Sequence, residues 1–337
     1  MGVRGIAAAL LAAWCATVCA EGTQASVVVY HPDVSWQMRY DLEAVVEDYN
    51  NHKRGLSTYA TARSLSSGLL VSAQINVDKN ARSAAQCRER EHQHIRQNKA
   101  FASSKIALSD ANGVDMEVLV PLGQGADAAV SRHVHRFWLR DGLCAKVHAS
   151  KTPFREEHRA AFDTLLQSVR FEPAAPIVER AFVVPGRGTL IVPVPAAWGF
   201  RARKPEETQP RDIEFMDSAS DAKLLVTVLP DARRALKGES TPRPLVESAR
   251  EAAKSSALEP DPQLVALKGR AGEGWYFFVT DRNLVDKPAR PEDWKYLRQG
   301  ALLAGDALVF FSMFSNVKDG AAPDAGLRAV GEARLVR

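Results

Sequence analysis

The sequence lacks the features of fibrous, disordered, zinc-finger and membrane-spanning proteins. Its four cysteines form no Cys-x-x-Cys pair, which excludes a zinc-finger or thioredoxin-like site. Beyond the N-terminal segment, no run reaches the roughly 18 uninterrupted apolar residues that a membrane-spanning helix requires. The 337 residues are 46% apolar, and 44 Lys and Arg residues nearly balance 40 Asp and Glu residues. This composition predicts an ordinary globular protein without a membrane span.

Motifs of catalysis, phosphate binding and nucleic-acid binding are also missing. The glycine-rich residues 269–274 lack the Lys-Ser/Thr pair and the helix of a phosphate-binding loop, and no Gly-x-Ser-x-Gly elbow is present. Charges of both signs are interspersed along the chain, whereas a nucleic-acid-binding protein would show a clustered basic face. We therefore predict no enzymatic activity, no catalytic residue and no nucleic-acid partner.

The N-terminus has the pattern of a secretory signal peptide. Arg4 supplies the positive charge, and residues 6–18 form an apolar stretch too short to cross a bilayer. Small residues before and at Ala20 fit a signal-peptidase site. We predict a signal peptide at residues 1–20 and a periplasmic or secreted protein. Acylation of Cys15 or Cys19, as in a lipoprotein, is the alternative.

Two cysteines, Cys87 and Cys144, remain after cleavage. In an exported chain, two cysteines most simply form one disulfide, which here would link a predicted helix to a predicted hairpin. Two unrelated buried thiols are the alternative.

Short motifs recur in the same order in the two halves of the sequence. The matched pairs are Trp36 with Trp198, residues 69–71 with 224–226, 106–108 with 265–267, 113–120 with 272–279, 141–142 with 305–306, and 169–171 with 333–335. Their shared order indicates a duplicated domain. Two prolines and two alanines at 173–176 disfavour regular structure. We predict a first domain at 26–172, a linker at 173–176 and a second domain at 177–337.

Each half is predicted to contain two or three opening strands, a long helix, three further strands and a final helix. The predicted helices are 80–97, 155–169, 243–257 and 323–333, and the three-strand runs are 113–120, 133–140 and 143–149, and 273–280, 295–303 and 307–315. Antiparallel strands interleaved with helices indicate an α+β fold in which helices cover a sheet.

Residues 274–278, 294–301 and 305–309 form a three-strand run in the second half, and the first half shares only its skeleton, because residues 133–138 replace the Tyr-Leu-Arg-Gln-Gly run. With this run the second half resembles the PsbP-like family and the related DcrB-like periplasmic proteins. The resemblance implies two similar α/β/α sandwich domains with mainly antiparallel sheets. It also implies export and a binding or assembly role without catalytic residues.

The histidines suggest the one candidate metal site. All eight lie in the first half. If residues 141–142 form a two-residue hairpin turn, His135 lies opposite His148, and His133 shares their face.

His94 lies seven residues after Cys87, on the same side of the predicted helix. If helix and strand run in the same direction from the disulfide, His94 joins His135 and His148 in a site for zinc or copper. The alternative is a polar, partly exposed sheet face with no ligand and no cofactor.

A second candidate is an aromatic surface in the second half. Trp275, Trp294, Tyr296 and Arg298 lie on two neighbouring predicted strands beside a long proline-containing loop, with Trp294 and Tyr296 predicted to share a face. They form either the rim of a binding surface or part of the core.

We expect an exported, non-enzymatic binding or assembly module of the cell envelope, with an envelope protein as its partner. Two alternatives remain open at this point: a periplasmic metal-binding protein that uses the first-domain histidines, and an immunity-type inhibitor of a secreted toxin.

We predict that each half folds alone. Residues 26–172 and 177–337, produced separately, should each unfold in one cooperative thermal transition, because each holds a complete set of elements and enough chain to bury about 70% of its surface. Absence of such a transition in a half, while the whole chain shows one, would contradict the division.

Overall fold

A computed structural model describes residues 24–336, apart from 44, 52–56, 78–79, 112, 124–128, 204–209, 218, 221, 289 and 291–292. The predicted signal peptide, residues 1–20, lies outside the described residues. None of the described helices is long and apolar enough to cross a membrane.

The first half contains ten strands and two α-helices within the described residues. They are β1 (Gln24–Tyr30), β2 (Trp36–Glu43), β3 (Val45–Asn51), β4 (Thr58–Ser64), β5 (Leu70–Val77), α1 (Ala84–Gln97), β6 (Lys105–Ser109), β7 (Val114–Pro121), β8 (Val130–Arg140), β9 (Leu143–Lys151), α2 (Arg159–Ser168) and β10 (Arg170–Pro173). A 3₁₀ turn at Lys99–Phe101 follows α1, and another at Glu156–His158 precedes α2.

The second half repeats this order with one extra short helix. Its elements are β11 (Ile177–Val184), β12 (Gly188–Pro195), β13 (Trp198–Ala202), β14 (Arg211–Asp217), β15 (Ala222–Leu229), α3 (Ala232–Ala235), α4 (Arg243–Ala253), β16 (Leu264–Lys268), β17 (Glu273–Thr280), β18 (Tyr296–Ala304), β19 (Ala307–Ser315), α5 (Ala321–Gly331) and β20 (Arg334–Val336). The fold is α+β with antiparallel sheets, in agreement with the sequence-based prediction.

Fourteen strands form one sheet that runs through both halves. Its order is β16-β17-β18-β19-β15-β14-β13-β3-β4-β5-β9-β8-β7-β6, so each half contributes seven strands in the same internal order. The halves meet where β13 pairs with β3, with Phe200 opposite Asn50 and Arg201 opposite Tyr49. The remaining strands form two small sheets, β1-β2-β10 and β11-β12-β20. The duplication read from the sequence therefore appears as two copies of one strand order.

Each seven-stranded half-sheet is covered on both faces. On one face of the first, α1 encloses an apolar cluster that contains Ile95, Met116 and Phe137. On the other face, β1, β2 and α2 bury a larger cluster around Met38, Tyr40 and Phe162. The second outer layer thus contains a small sheet as well as a helix, unlike the purely helical layer that a plain α/β/α sandwich would have. The opening strands pair with each other and with the closing strand, which supplies this cover.

The two halves also share part of their core. Val28 of β1 belongs to the apolar cluster of the second half. Arg180 of β11 is fully buried, and its Nη1 donates a hydrogen bond of 2.7 Å to the Val28 carbonyl oxygen, while its guanidinium lies 5.3 Å from the Phe200 ring centre. Separation of the halves would expose these groups, so we expect each half alone to be less stable than in the whole chain.

Two details of the sequence-based prediction are wrong. Trp36 begins the second strand of its half, whereas Trp198 begins the third, so these tryptophans are not equivalent positions. Each half also opens with five strands rather than two or three. They follow one another without an intervening helix, so periodicity alone did not separate them.

The predicted disulfide is confirmed. Cys87 of α1 is bonded to Cys144 of β9, with a Cα–Cα distance of 5.8 Å. The helix begins after Ser83, whose hydroxyl accepts a hydrogen bond from the Gln86 backbone N–H. The disulfide fixes the N-terminal half of α1 to the central strand of the first half-sheet.

We predict that this disulfide contributes several kcal/mol to stability. It links residues 57 apart, and the chain-entropy relation gives about 4 kcal/mol for such a loop. Urea unfolding of the oxidised and reduced protein should show a lower midpoint after reduction. A Cys87→Ser, Cys144→Ser variant serves as control because the reductant should not change its midpoint. Equal midpoints for oxidised and reduced wild-type protein would contradict the prediction.

Candidate functional site: a histidine cluster beneath helix α1

Three histidines meet on the face of the sheet that α1 covers. The turn at Asp141 and Gly142 sets the β8–β9 register, in which His135 lies opposite His148. His133 is two residues from His135 on β8 and therefore shares its face. On the other side, Ser72 of β5 lies opposite His148. Neighbouring strands thus bring these side chains together.

A chain of hydrogen bonds runs through two of the imidazoles. Ser72 Oγ lies 3.2 Å from His148 Nδ1, and His148 Nε2 lies 3.0 Å from His133 Nδ1. His133 Nε2 lies 3.0 Å from Ser131 Oγ, which in turn lies 2.6 Å from Thr152 Oγ1. Both ring nitrogens of each of these histidines are therefore engaged.

Neutral imidazole rings can make every hydrogen bond in this series. A neutral imidazole has one N–H donor and one nitrogen acceptor, and a hydroxyl can donate and accept. The donors can point from Ser72 toward Thr152 or in the opposite sense, and every link is made in either case. Reversal of the hydrogen bonds requires both histidines to exchange tautomers, so two proton arrangements satisfy every link.

His135 packs against this series of hydrogen bonds but is not part of it. Its ring stacks on His148 with a centre-to-centre distance of 4.2 Å and an angle of 13° between planes. Only 5% of His135 is exposed, and its Nδ1 has no hydrogen-bond partner among the described residues. A buried ring in this position is stable only when it is uncharged.

The pKa values of all three histidines are lowered. Burial is the largest cause in each case. Burial, the His133 imidazole and the Lys146 ammonium lower the pKa of His148 to about 3. Burial, followed by His148, Lys146 and His133, brings the pKa of His135 well below its usual value. The cluster is therefore uncharged at neutral pH.

Helix α1 and the following 3₁₀ turn cover the cluster. One turn after Cys87 on α1, Glu91 forms an ion pair of 2.7 Å with Lys146, which lies two residues after Cys144 on β9. Ile95 is buried further along the helix, and the Phe101 ring meets His133 edge-on with ring centres 5.9 Å apart. Helix and β9 thus run in the same direction from the disulfide, as the metal-site hypothesis required.

The structure nevertheless separates the three proposed metal ligands. His135 and His148 are in contact, but His94 is exposed on α1. The helix packs mainly on β7 and β8, and its sheet-facing residues Cys87, Glu91 and Ile95 are four residues apart, so Ile95 rather than His94 meets the sheet. Among the described residues, no three or more His, Cys, Asp or Glu side chains are arranged to hold a metal ion.

His133 occupies the third position that was assigned to His94. Strand alternation placed His133 on the correct face, but the partners Ser72, Ser131 and Phe101 were not predicted. Ser72 and Phe101 come from other parts of the chain, and only the pairing of β5 with β9 and the path of α1 bring them to the cluster.

The proposed aromatic surface divides between the two faces of the second half-sheet. Trp275 packs toward α4, where the Arg243 guanidinium lies 4.7 Å from its ring centre. Trp294 also lies on this face, beside Phe314 with ring centres 5.1 Å apart. It precedes β18, so strand alternation does not extend to it, and it does not share a face with Tyr296.

The other two residues lie on the opposite face. Tyr296 stacks on Phe278 with ring centres 6.0 Å apart, and Arg298 is buried and hydrogen-bonded to Asp319 at 3.1 Å. The four residues therefore do not form one continuous surface.

The second repeat supplies a natural comparison for the histidine cluster. Counted from the hairpin turns, the positions of His133, His135 and His148 correspond to Leu297, Gln299 and Ser312. Gln299 Nε2 donates a hydrogen bond of 3.3 Å to Ser312 Oγ. The same backbone geometry thus accepts side chains that do not titrate.

Comparison of the chain with protein-family models, with curated proteins and with solved structures gives no match. The candidate site is therefore assigned from its own geometry.

We predict that acid destabilises the fold through this cluster. Below about pH 6.5 the unfolded chain binds more protons than the folded chain, so stability is present above that pH and falls as the pH decreases toward the lowered folded pKa values. For His148, with a pKa of about 3, the loss at about pH 4.5 is about 2 to 3 kcal/mol.

Urea unfolding at about pH 7 and about pH 4.5 tests this. The control variant carries the second-repeat residues, His133→Leu, His135→Gln and His148→Ser, and it should lose less stability on acidification. Equal losses in the two proteins would show that other groups cause the acid sensitivity.

Proposed function

We propose that the protein is an exported, non-enzymatic binding or assembly module that binds extended segments of envelope proteins. The observation that carries this proposal is the pair of open edges of the fourteen-stranded sheet. Within the described part of the chain, β6 pairs only with β7, and β16 pairs only with β17. These are equivalent strands of the two repeats.

An open edge presents backbone N–H and C=O groups without strand partners. An added strand satisfies these groups, which is how many binding proteins capture extended peptides. Leu108 of β6 is 44% exposed and Val265 of β16 is 39% exposed, so each edge offers an apolar side chain as well as backbone. These features fit a segment that adopts a strand on binding.

The charges of the edges indicate the chemistry of the segment. Strand β6 carries Lys105, strand β16 carries Lys268, and neither contains an acidic residue. An apolar segment with one acidic residue complements both. A second copy of the chain, paired through β6 against β16 in full antiparallel register, would place the two lysines opposite each other and is disfavoured.

Export is supported by two features of the chain. The Cys87–Cys144 disulfide is typical of oxidising compartments, and the N-terminus has the pattern of a signal peptide. The resemblance of the second half to PsbP-like proteins also favours a binding or assembly role.

The other two functions are less favoured. A metal-binding protein would need His94 to join the cluster, and His94 is exposed. An immunity-type inhibitor would need one large complementary surface, whereas the open edges lie at opposite ends of the sheet.

Photo-crosslinking tests the proposed edge binding. A photoreactive phenylalanine analogue replaces Ala107 of β6 or Ala266 of β16, and the protein is irradiated in the envelope fraction. The control position is Met216, which is 51% exposed but lies on β14, a strand with neighbours on both sides. We expect a discrete crosslinked partner from the edge positions and none from position 216.

A second measurement uses the partner identified in this way. Leu108→Glu and Val265→Glu should weaken its binding to the respective edge, because a carboxylate would face the acidic residue expected in the segment. Equal crosslinking from position 216, or unchanged binding by both variants, would overturn the proposal.

A further inference from the structure

We propose that the histidine cluster is an acid-sensitive latch for helix α1. Protonation of the cluster releases the C-terminal half of α1 and the 3₁₀ turn at Lys99–Phe101 from the sheet, while the Cys87–Cys144 disulfide holds the N-terminal half in place. This inference does not depend on the proposed function.

The two halves of the cover are attached differently. The N-terminal half has the disulfide, and Arg88 there binds the Asp110 carboxylate at 2.6 Å and the Ser109 carbonyl oxygen at 3.1 Å. Beyond the ion pair of Glu91 with Lys146 at the start of the C-terminal half, the described contacts of that half with the sheet are apolar or aromatic, through Ile95 and Phe101. Protonation that raises the free energy of the buried cluster is therefore expected to detach the C-terminal half of α1, which is attached less strongly.

The groups that face the cluster are mostly cationic or uncharged. The histidine cluster faces Lys146 on β9 and Glu91 on α1, and the Glu91 carboxylate is already paired with Lys146. The charges that lower the pKa values of His135 and His148 all come from Lys146 and the neighbouring histidines.

Among the described residues, the remaining elements around the cluster direct no further carboxylate toward it. The α1-facing side of β7 presents Met116 and Val118, and β5 presents Ser72. On the cover itself, His92 lies beside Glu89, while His94 and Lys99 are exposed. A proton added to the cluster therefore meets repulsion and no free counter-charge among the described residues.

Release of the C-terminal half of α1 reduces both the burial of the protonated imidazoles and the repulsion between them and Lys146. The imidazoles gain access to water, which favours their charged forms, and they move apart from the helix that excludes solvent. The same movement exposes Ile95, Phe101 and the apolar side of β7. The expected result at low pH is a hinged helix with a newly accessible apolar face.

Hydrogen exchange read by mass spectrometry tests the latch. The full chain is compared at about pH 7 and about pH 4.5, with exchange corrected for the intrinsic effect of pH. Residues 92–104 should lose protection by about 10- to 100-fold at the lower pH, the range expected for one group with an open-state pKa near 6.5. Residues 84–90 should remain protected, and helix α4 of the second repeat should show no comparable loss.

Two variants distinguish the latch from general acid unfolding. In the His133→Leu, His135→Gln, His148→Ser protein, residues 92–104 should keep their protection at about pH 4.5. If that protein does not fold at neutral pH, His148→Ser alone takes its place and should reduce the loss. Reduction of the wild-type disulfide should extend the acid-induced loss to residues 84–90.

Two outcomes would overturn the inference. One is equal loss of protection in residues 92–104 and in α4, which would indicate global loosening. The other is an unchanged acid response in the histidine variants.

Discussion

The hairpin turn at Asp141 and Gly142 is the constraint on which the first half's distinctive features depend. Both residues have positive φ, at 49° and 75°, as a two-residue turn between twisted antiparallel strands requires. The turn fixes the β8–β9 register, which places Cys144, Lys146 and His148 on one face of β9. Cys144 forms the disulfide with Cys87, Lys146 pairs with the Glu91 carboxylate, and His148 contacts the other two imidazoles. A shift of one residue would turn all three side chains to the opposite face.

This face differs strongly between the two repeats, although their backbones follow the same strand order. In the second repeat, Leu308 takes the place of Cys144 and joins Val246 of α4 in an apolar cluster. The first repeat combines a covalent attachment at one end of its helix with buried, uncharged imidazoles further along. Ordinary apolar packing is stable over a wide pH range, whereas buried imidazoles are stable only while they remain neutral. All eight histidines lie in the first half, so this layer contains buried imidazoles in the first repeat and not in the second.

Joining of the repeats through β3 and β13 determines which sheet edges remain open. Those two strands cover each other's edges at the centre of the sheet, and the equivalent outer strands β6 and β16 are left at its ends. Both outer strands are short and carry a lysine, two features by which proteins limit unselective strand pairing. The buried contact between Arg180 and Val28 adds a link between the repeats beyond the sheet itself.

The sequence by itself determined the α+β class, the duplication, the positions of most helices and of the three-strand runs, and the disulfide. These follow from local signals: alternation in strands, a turn pair such as Asp141-Gly142, and the small number of cysteines. The sequence also placed His135 opposite His148, because two-residue turns fix register.

Tertiary structure alone decided that His133 rather than His94 completes the cluster, since the row of α1 that faces the sheet contains Cys87, Glu91 and Ile95. It likewise decided that the half-sheets join into one and that Trp294 and Tyr296 lie on opposite faces. Such outcomes depend on packing between distant segments, which no local pattern records.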